Sequence, residues 1–304
     1  MFAKLYAFLR LSRPQFLFNS LGLFALGAMV ARYQGYELEV APYLLGQVCL
    51  TALQLMSIYL NEYWDEDADR HNAFRTWFSG GSGVLPEGAL ARSTVFVAAM
   101  GALAIGVASG IALLARQPHK PALWIVLLLI FLGLFFQSNR PIALTNSGYG
   151  EFTTSIVFAG LMPAFGHLVF AEQVSRLVLL ATAPLVVLHA AMLIAFSLPD
   201  VESDAKAEKR TLAVRLGQES AASLHNALLA LALLLAAAGS FLGLPGQVAV
   251  SVAFIAPIAV LQIVTLRRFR TGRPASFSQV TFLAALVYGL SVYLTAFSFW
   301  VLRQ

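Results

Sequence analysis

Charge is scarce in this chain: 12% of its 304 residues are Asp, Glu, Lys or Arg, against 59% hydrophobic. That balance excludes a water-soluble domain, because so little polar surface cannot cover a globule. Cysteine is nearly absent. The single Cys49 lies inside an apolar run, which sets cysteine chemistry aside. No His or Cys pair has metal-ligand spacing, no Ser-His-Asp arrangement is present, and no glycine loop of nucleotide-binding type occurs. Long polar stretches are missing too, so the connections leave no room for a soluble domain, and residues 1–304 read as one integral membrane domain.

What is there in abundance is apolar sequence in runs near 20 residues, each long enough to cross a hydrocarbon core of about 30 Å at about 1.5 Å per residue. Nine are expected as helices: Gln15–Ala31, Ala41–Trp64, Ser93–Ala115, Pro121–Gln137, Phe152–Ala171, Leu177–Leu198, Ala221–Leu242, Val248–Leu266 and Phe277–Leu302. The fold class is thus an all-α polytopic membrane protein, with about nine transmembrane helices around a central cavity. The basic start, Lys4 to Arg13, precedes an apolar run too long for a signal peptide, so that run reads as the first span.

Nine spans place 15 of the 20 Lys and Arg on one side, including Arg70, Arg75, Arg92, Arg140, Lys206, Lys209, Arg210 and Arg215. The positive-inside rule makes that side cytoplasmic, in the inner (plasma) membrane. The net charge of +5 then belongs to topology and to an anionic ligand, and no nucleic-acid partner is expected.

The few acids are not scattered. Asn61-Glu62-Tyr63-Trp64-Asp65-Glu66-Asp67-Ala68-Asp69-Arg70 closes one apolar run, and Pro199-Asp200-Val201-Glu202-Ser203-Asp204 closes another. On a helix, residues four apart share a face, so Asp65 stacks over Asp69 and Asp200 over Asp204, with Asn61 one turn before the first pair. Like charges at that spacing repel, and a helix C-terminus disfavours anions, so a cation is expected to offset them. Basic residues follow both motifs. Carboxylates beside a basic cluster are the composition expected around divalent metal and phosphate. Asp67 points about 200° away from Asp65 and is expected to face water. Glu62 and Glu66 flank the stripe without a role, Glu208 is a weaker continuation of the Asp204 ladder, Ser197 is positioned to cap a helix restart after Pro199, and His71 is the one histidine worth testing. The glycine-rich connection between Arg70 and Arg92 is expected to fold over the site as a cap.

These residues carry a resemblance. Asn61-x-x-x-Asp65-x-x-x-Asp69 resembles the first motif of the intramembrane aromatic prenyltransferases, the UbiA superfamily. Asp200-x-x-x-Asp204 with Lys209-Arg210-Thr211-Leu212-Ala213-Val214-Arg215-Leu216-Gly217 resembles the second. Asn139-Arg140-Pro141, Gly148-Tyr149-Gly150-Glu151 and Gly80-Gly81-Ser82-Gly83-Val84-Leu85 are similar to the branch that prenylates 1,4-dihydroxy-2-naphthoate in menaquinone synthesis. Two departures stand out: Phe136 and Arg140 occupy a spacing where the superfamily often has Tyr and Lys, and Pro199-Asp200-Val201-Glu202 resembles homogentisate prenyltransferases. Homogentisate and 4-hydroxybenzoate therefore stay open as acceptors.

The resemblance implies Mg²⁺-dependent transfer of a polyprenyl group from its diphosphate to an aromatic quinone precursor within the bilayer. It implies Mg²⁺ on Asp65, Asp69, Asp200 and Asp204, with Asn61 orienting the first cluster and Arg75, Arg140, Lys209 and Arg210 on diphosphate oxygens. A secondary transporter is the remote alternative, disfavoured because the acids sit at span ends rather than at the midplane.

Overall fold

Apolar runs become helices throughout the computed structural model, which describes residues 2–72, 74–139, 141–270 and 276–302 and holds no strand among them. An N-terminal α1 (Phe2–Ser12) leads into α2 (Pro14–Tyr33), α3 (Val40–Arg70), α4 (Arg92–Arg116) and α5 (Pro121–Phe136). Next, α6 (Gly150–Ser155) passes through a π-helical turn, Ile156–Leu161, into α7 (Met162–Leu168). After α8 (Arg176–Ser197) come two short helices, α9 (Val201–Lys206) and α10 (Leu212–Leu216). The chain finishes with α11 (Gln218–Phe241), α12 (Gly246–Ala253), α13 (Ala256–Arg270) and α14 (Phe277–Val301).

Seven of these segments are long and apolar enough to cross a membrane: α2, α3, α4, α8, α11, the α12–α13 pair and α14. Length and composition alone do not confirm the expected count of nine. Of the other two, Pro121–Gln137 becomes the 16-residue α5, roughly 24 Å long and short of a full hydrocarbon core. Phe152–Ala171 becomes the interrupted α6–α7 helix, most of which is buried inside the bundle. Pro163 accounts for the interruption: it has no N–H to return to the preceding turn, and the widened π turn just before it absorbs the misfit.

Helix packing here owes little to a hydrophobic driving force, since lipid is as apolar as leucine, and close approach matters more. At the crossing of α2 with α7, a Cβ on Gly27 would overlap the carbonyl of Pro163, and one on Gly166 would overlap the carbonyl of Phe24. Phe24 is fully buried there, edge-on to Tyr43 at 5.1 Å and near Phe165 at 6.0 Å. α3 runs 31 residues, about 46 Å, so its last turns project beyond the hydrocarbon. α8 stops at Pro199, whose missing N–H breaks the ladder before α9 begins. Both acidic motifs thus stand at the ends of spans, and they meet on one side of the bundle. That meeting requires an even number of crossings between them, so α5 and α6–α7 must both cross or both turn back.

Candidate active site

The last turns of α3 present Asn61, Asp65 and Asp69 on one face, as their spacing requires. Asn61 Nδ2 donates to Asp65 Oδ2 at 2.8 Å and to Ser138 Oγ at 3.0 Å, which fixes the first carboxylate. Across from it, the Asp204 amide bonds the Asp200 carbonyl at 2.8 Å, so the second pair also keeps its one-turn stacking. Lys209 joins the two motifs: its Nζ lies 2.9 Å from Asp65 Oδ2 and 3.6 Å from Asp204 Oδ1. All four aspartates, Asn61 and Lys209 line one cavity of about 180 Å³.

The connection after α3 closes over this cavity as a cap. Asp200 accepts from Asn72 Nδ2 at 2.7 Å and from the Gly80 amide at 3.2 Å, tying the cap to the second motif. Glu62, which has no role in the sequence reading, anchors the cap from below. It is 2% exposed and accepts from the Ser82 amide at 2.8 Å and the Ser82 hydroxyl at 2.5 Å, with Arg13 Nη1 3.5 Å away. Val84 and Leu85 are buried beneath it. Gly81 has φ +68°, and a Cβ there would overlap the Asp69 carboxylate. Gly81→Ala is therefore expected to push Asp69 aside and to lower turnover at least about tenfold while the protein still folds, since a misplacement of about 1 Å costs that much or more. Steady-state kinetics beside thermal unfolding of the variant checks this.

Burial pushes the Asp200 carboxyl up to about 7, against the bond from Asn72 that lowers it. Burial likewise raises Asp204 to about 6, against the neighbouring Lys209 ammonium. For Lys209 burial works against the charge, but Asp65 and Asp204 outweigh it and hold its pKa above the ordinary lysine value. One ammonium between two carboxylate pairs leaves negative charge uncompensated, which is the physical case for further cations. The donor set consists of hard oxygens, which suits Mg²⁺. Among the described residues no three acidic, His or Cys side chains form a ready cage. A Mg²⁺ ion would then complete its shell with water and phosphate oxygens, as this ion commonly does.

The other expected residues fall elsewhere. Arg75 does not line the cavity: its guanidinium donates to the Gly80 carbonyl at 2.9 Å and the Asp69 carbonyl at 3.3 Å and lies 3.4 Å from Glu87, so it shapes the cap. Arg210 is exposed and outside the cavity; it lies in the turn before α10, where its amide bonds the Asn146 carbonyl at 3.3 Å. Arg140 lies outside the described residues. Asp67 is exposed as expected, and Glu66 pairs with Arg70 at 2.7 Å. Glu208 sits at φ +57°, exposed and past the end of α9, so the ladder from Asp204 stops. Ser197 donates to the Leu193 carbonyl at 3.0 Å instead of capping, and His71 is exposed against the Asp67 carbonyl.

Sequence reading missed Arg13. The chain breaks there between α1 and α2, with φ 43°, and the guanidinium reaches the cavity wall, bonding the Phe78 carbonyl at 3.1 Å. Arg13 and Lys209 are the basic residues lining the cavity among those described. Missed as well are three mutually packed rings at the cavity floor. Phe78 stacks on Phe196 at 5.4 Å and 17°, and both lie near Phe16, at 6.1 Å and 6.2 Å. Beyond the rings lies a second recess of about 190 Å³ shared by α2, α3 and α8. Beside it, also against Phe78 and Phe196 of the chamber floor, a narrow cleft lined by Phe18, Ala285, Val292 and Tyr293 runs between α2 and α14. The exposure of Phe18 and Tyr293 opens that cleft to the lipid side.

A helical bundle that buries opposed carboxylate pairs under a cap, with an aromatic floor leading to lipid, defines a polytopic membrane enzyme. A model of the UbiA prenyltransferase family matches residues 20–287; the chain belongs to this family and is a prenyltransferase. It is 29% identical over 206 residues to a 1,4-dihydroxy-2-naphthoate octaprenyltransferase of Mycobacterium tuberculosis, covering 66% of this chain and 67% of that one. It is 21% identical over 226 residues to the Bacillus subtilis protein of the same name, covering 73% and 70%. In fold it is similar to a UbiA homologue from Archaeoglobus fulgidus bound to GPP and Mg²⁺, with TM-score 0.60, 19% identity and coverage of 94% and 99%. The apo UbiA homologue of Aeropyrum pernix K1 gives TM-score 0.62 at 20% identity, covering 91% and 96%.

Proposed function

We propose that this prenyltransferase carries a polyprenyl group from its diphosphate to a ring carbon of 1,4-dihydroxy-2-naphthoate, in menaquinone biosynthesis, with Mg²⁺ as cofactor and the cavity open toward the cytoplasm. The observation that carries the reading is the Lys209 bridge between Asp65 and Asp204, since it makes the two motifs one anionic chamber. The naphthoate acceptor is supported by the names of the two bacterial relatives. Mg²⁺ and a prenyl diphosphate are supported by the A. fulgidus homologue, bound to GPP and Mg²⁺ in one structure and to DMAPP and Mg²⁺ in another.

Asp65, Asp69, Asp200 and Asp204 would hold Mg²⁺, with Asn61 orienting Asp65. When bound, the ion neutralises charge that builds on the departing diphosphate, the difficult part of breaking an allylic C–O bond. Lys209 and Arg13 add fixed positive charge to the same oxygens, worth most when that bond breaks. Arg75 serves by holding the cap, which keeps water from the allyl cation. The faces of Phe78 and Phe196 stand where the chamber meets the recess and stabilise that cation as it forms. Diphosphate leaves with both electrons of the broken bond, the acceptor ring supplies the electron pair for the new C–C bond, and the ring regains its aromaticity by releasing the group on that carbon, a proton or the carboxylate as CO2. The polyprenyl tail, with one double bond in each isoprene unit, passes Phe78 and Phe196 and runs along the cleft beside Phe18 and Tyr293.

Mass spectrometry of products tests the reading directly. The purified chain in nanodiscs is offered geranylgeranyl and longer diphosphates against naphthoate, 4-hydroxybenzoate and homogentisate. Prenylated naphthoate is expected with Mg²⁺ and none in excess EDTA. Undiminished turnover in EDTA, or no prenylated aromatic product, contradicts the reading.

A further inference from the structure

The recess below the Phe78–Phe196 stack is chemically unlike a hydrocarbon tunnel. Aromatic walls alternate with Gln54, Asn19, Ser57 and His189. Two of these groups present bare hydrogen-bond acceptors. Gln54 is 2% exposed, and its Nε2 donates to the Phe16 carbonyl at 2.8 Å. That bond fixes the amide, because the flipped amide would set two oxygens against each other. Its Oε1 is left buried without a partner.

His189 reaches the same recess from α8 and is also 2% exposed. Its tautomer follows from its neighbours. The Ser155 hydroxyl donates to the Glu151 carbonyl at 2.5 Å, so toward His189 Nδ1, 2.9 Å away, Ser155 can only accept. Nδ1 therefore carries the proton, and Nε2 is a lone-pair acceptor with no hydrogen-bond partner among the described residues. The ring is held in place by stacking on Phe158 at 5.4 Å and 13° and by the edge of Tyr288 at 4.8 Å. Ser155 and Phe158 flank and occupy the π turn of the interrupted α6–α7 helix, so that irregularity builds this wall.

Two such acceptors in an aromatic-walled slot call for a ligand with two donors. A hydrocarbon tail has none, and 4-hydroxybenzoate has a single hydroxyl. We propose that this recess is the acceptor subsite and that Gln54 and His189 select a para-dihydroxylated ring, each accepting a hydrogen bond from one hydroxyl. The inference rests on the prenyl-transfer reading and narrows its acceptor to hydroquinone acids. Sites built to pair a substrate hydroxyl reject analogues that lack it far more strongly than apolar pockets reject a missing methylene.

The test uses the full chain in nanodiscs with Mg²⁺ and a prenyl diphosphate. It measures KM for 1,4-dihydroxy-2-naphthoate and the competitive Ki of 1-hydroxy- and 4-hydroxy-2-naphthoate, each lacking one hydroxyl. In the wild type both analogues are expected to bind about 30-fold more weakly than the diol. Gln54→Leu and His189→Leu are each expected to raise the diol KM about 30-fold and to abolish discrimination against one of the two analogues. His189→Gln, which returns an oxygen near the position of Nε2, is expected to restore it. KM for the prenyl diphosphate is expected to stay within about twofold in every variant. Wild-type discrimination retained in both leucine variants overturns the proposal, as does a shift in the prenyl diphosphate KM as large as that for the diol, which would make the recess a tail site. A wild type that prenylates no aromatic acid overturns the parent reading instead, so the two failures are distinct.

Discussion

Asp65→Asn and Asp204→Asn are each expected to lower turnover by about 10³-fold while the protein folds and inserts normally. The two residues come from different helices, α3 and α9, yet both stand within 4 Å of one lysine nitrogen. Asparagine keeps the shape and one oxygen but removes the charge that a divalent cation requires. A lost electrostatic group of this kind costs about two to three powers of ten in comparable sites. In Asp65→Asn the retained carbonyl oxygen can still accept from Asn61, so the cavity wall stays intact. Equal loss from both ends is the informative outcome. Were the motifs independent, one substitution would be silent.

The second large effect is expected at Lys209. In Lys209→Met, Asp65 and Asp204, with side chains 15% and 10% exposed, lose the cation that lies between them. Breaking such a pair from one side costs about 3 kcal/mol, because the remaining charges stay buried and unpaired. Thermal unfolding without divalent cations is expected several degrees below the wild type, and added Mg²⁺ is expected to recover much of that loss by supplying the missing charge. Turnover is still expected to fall about 100-fold, since the proposed function also sets Lys209 against the diphosphate. Arg210→Met is the matched control. Arg210 is exposed and outside the cavity, so it is expected to stay within about twofold of the wild type in both measurements.

Which parts of this were legible in the sequence follows from the range of the forces involved. Spans show in local composition, because a run of apolar residues near 20 long has few other fates. The stripes Asn61, Asp65, Asp69 and Asp200, Asp204 show in helical periodicity, which survives into the structure unchanged. The fifth expected span is present but interrupted by the π turn before Pro163, and that turn also packs against α8, which periodicity alone does not show. The cations were harder still. Arg75, Arg210 and Lys209 are equally basic near their motifs, and only the backbone path selects Lys209. The turn at Glu208, φ +57°, and the bond from the Lys209 amide to the Asp204 carbonyl at 2.9 Å bring that residue back over α9.

Arg13 and Glu62 were invisible for the same reason. One lies 49 positions before the other, and their meeting beneath the cap depends on the break between α1 and α2. An Arg-Pro pair at the start of a first span is a local signal that could have flagged Arg13, since proline sets the helix start and leaves the residue before it outside. The Phe16, Phe78 and Phe196 floor had no such signal among 23 phenylalanines.

Calorimetric titration with a prenyl thiodiphosphate, whose C–S bond does not ionise, asks most directly whether the two acidic motifs share one cation-held ligand. Wild type is expected to bind it with Mg²⁺ and to lose at least about 100-fold in affinity in EDTA, in Asp65→Asn and in Asp204→Asn alike. Wild-type affinity in either single variant, with Mg²⁺ present, would contradict the shared chamber.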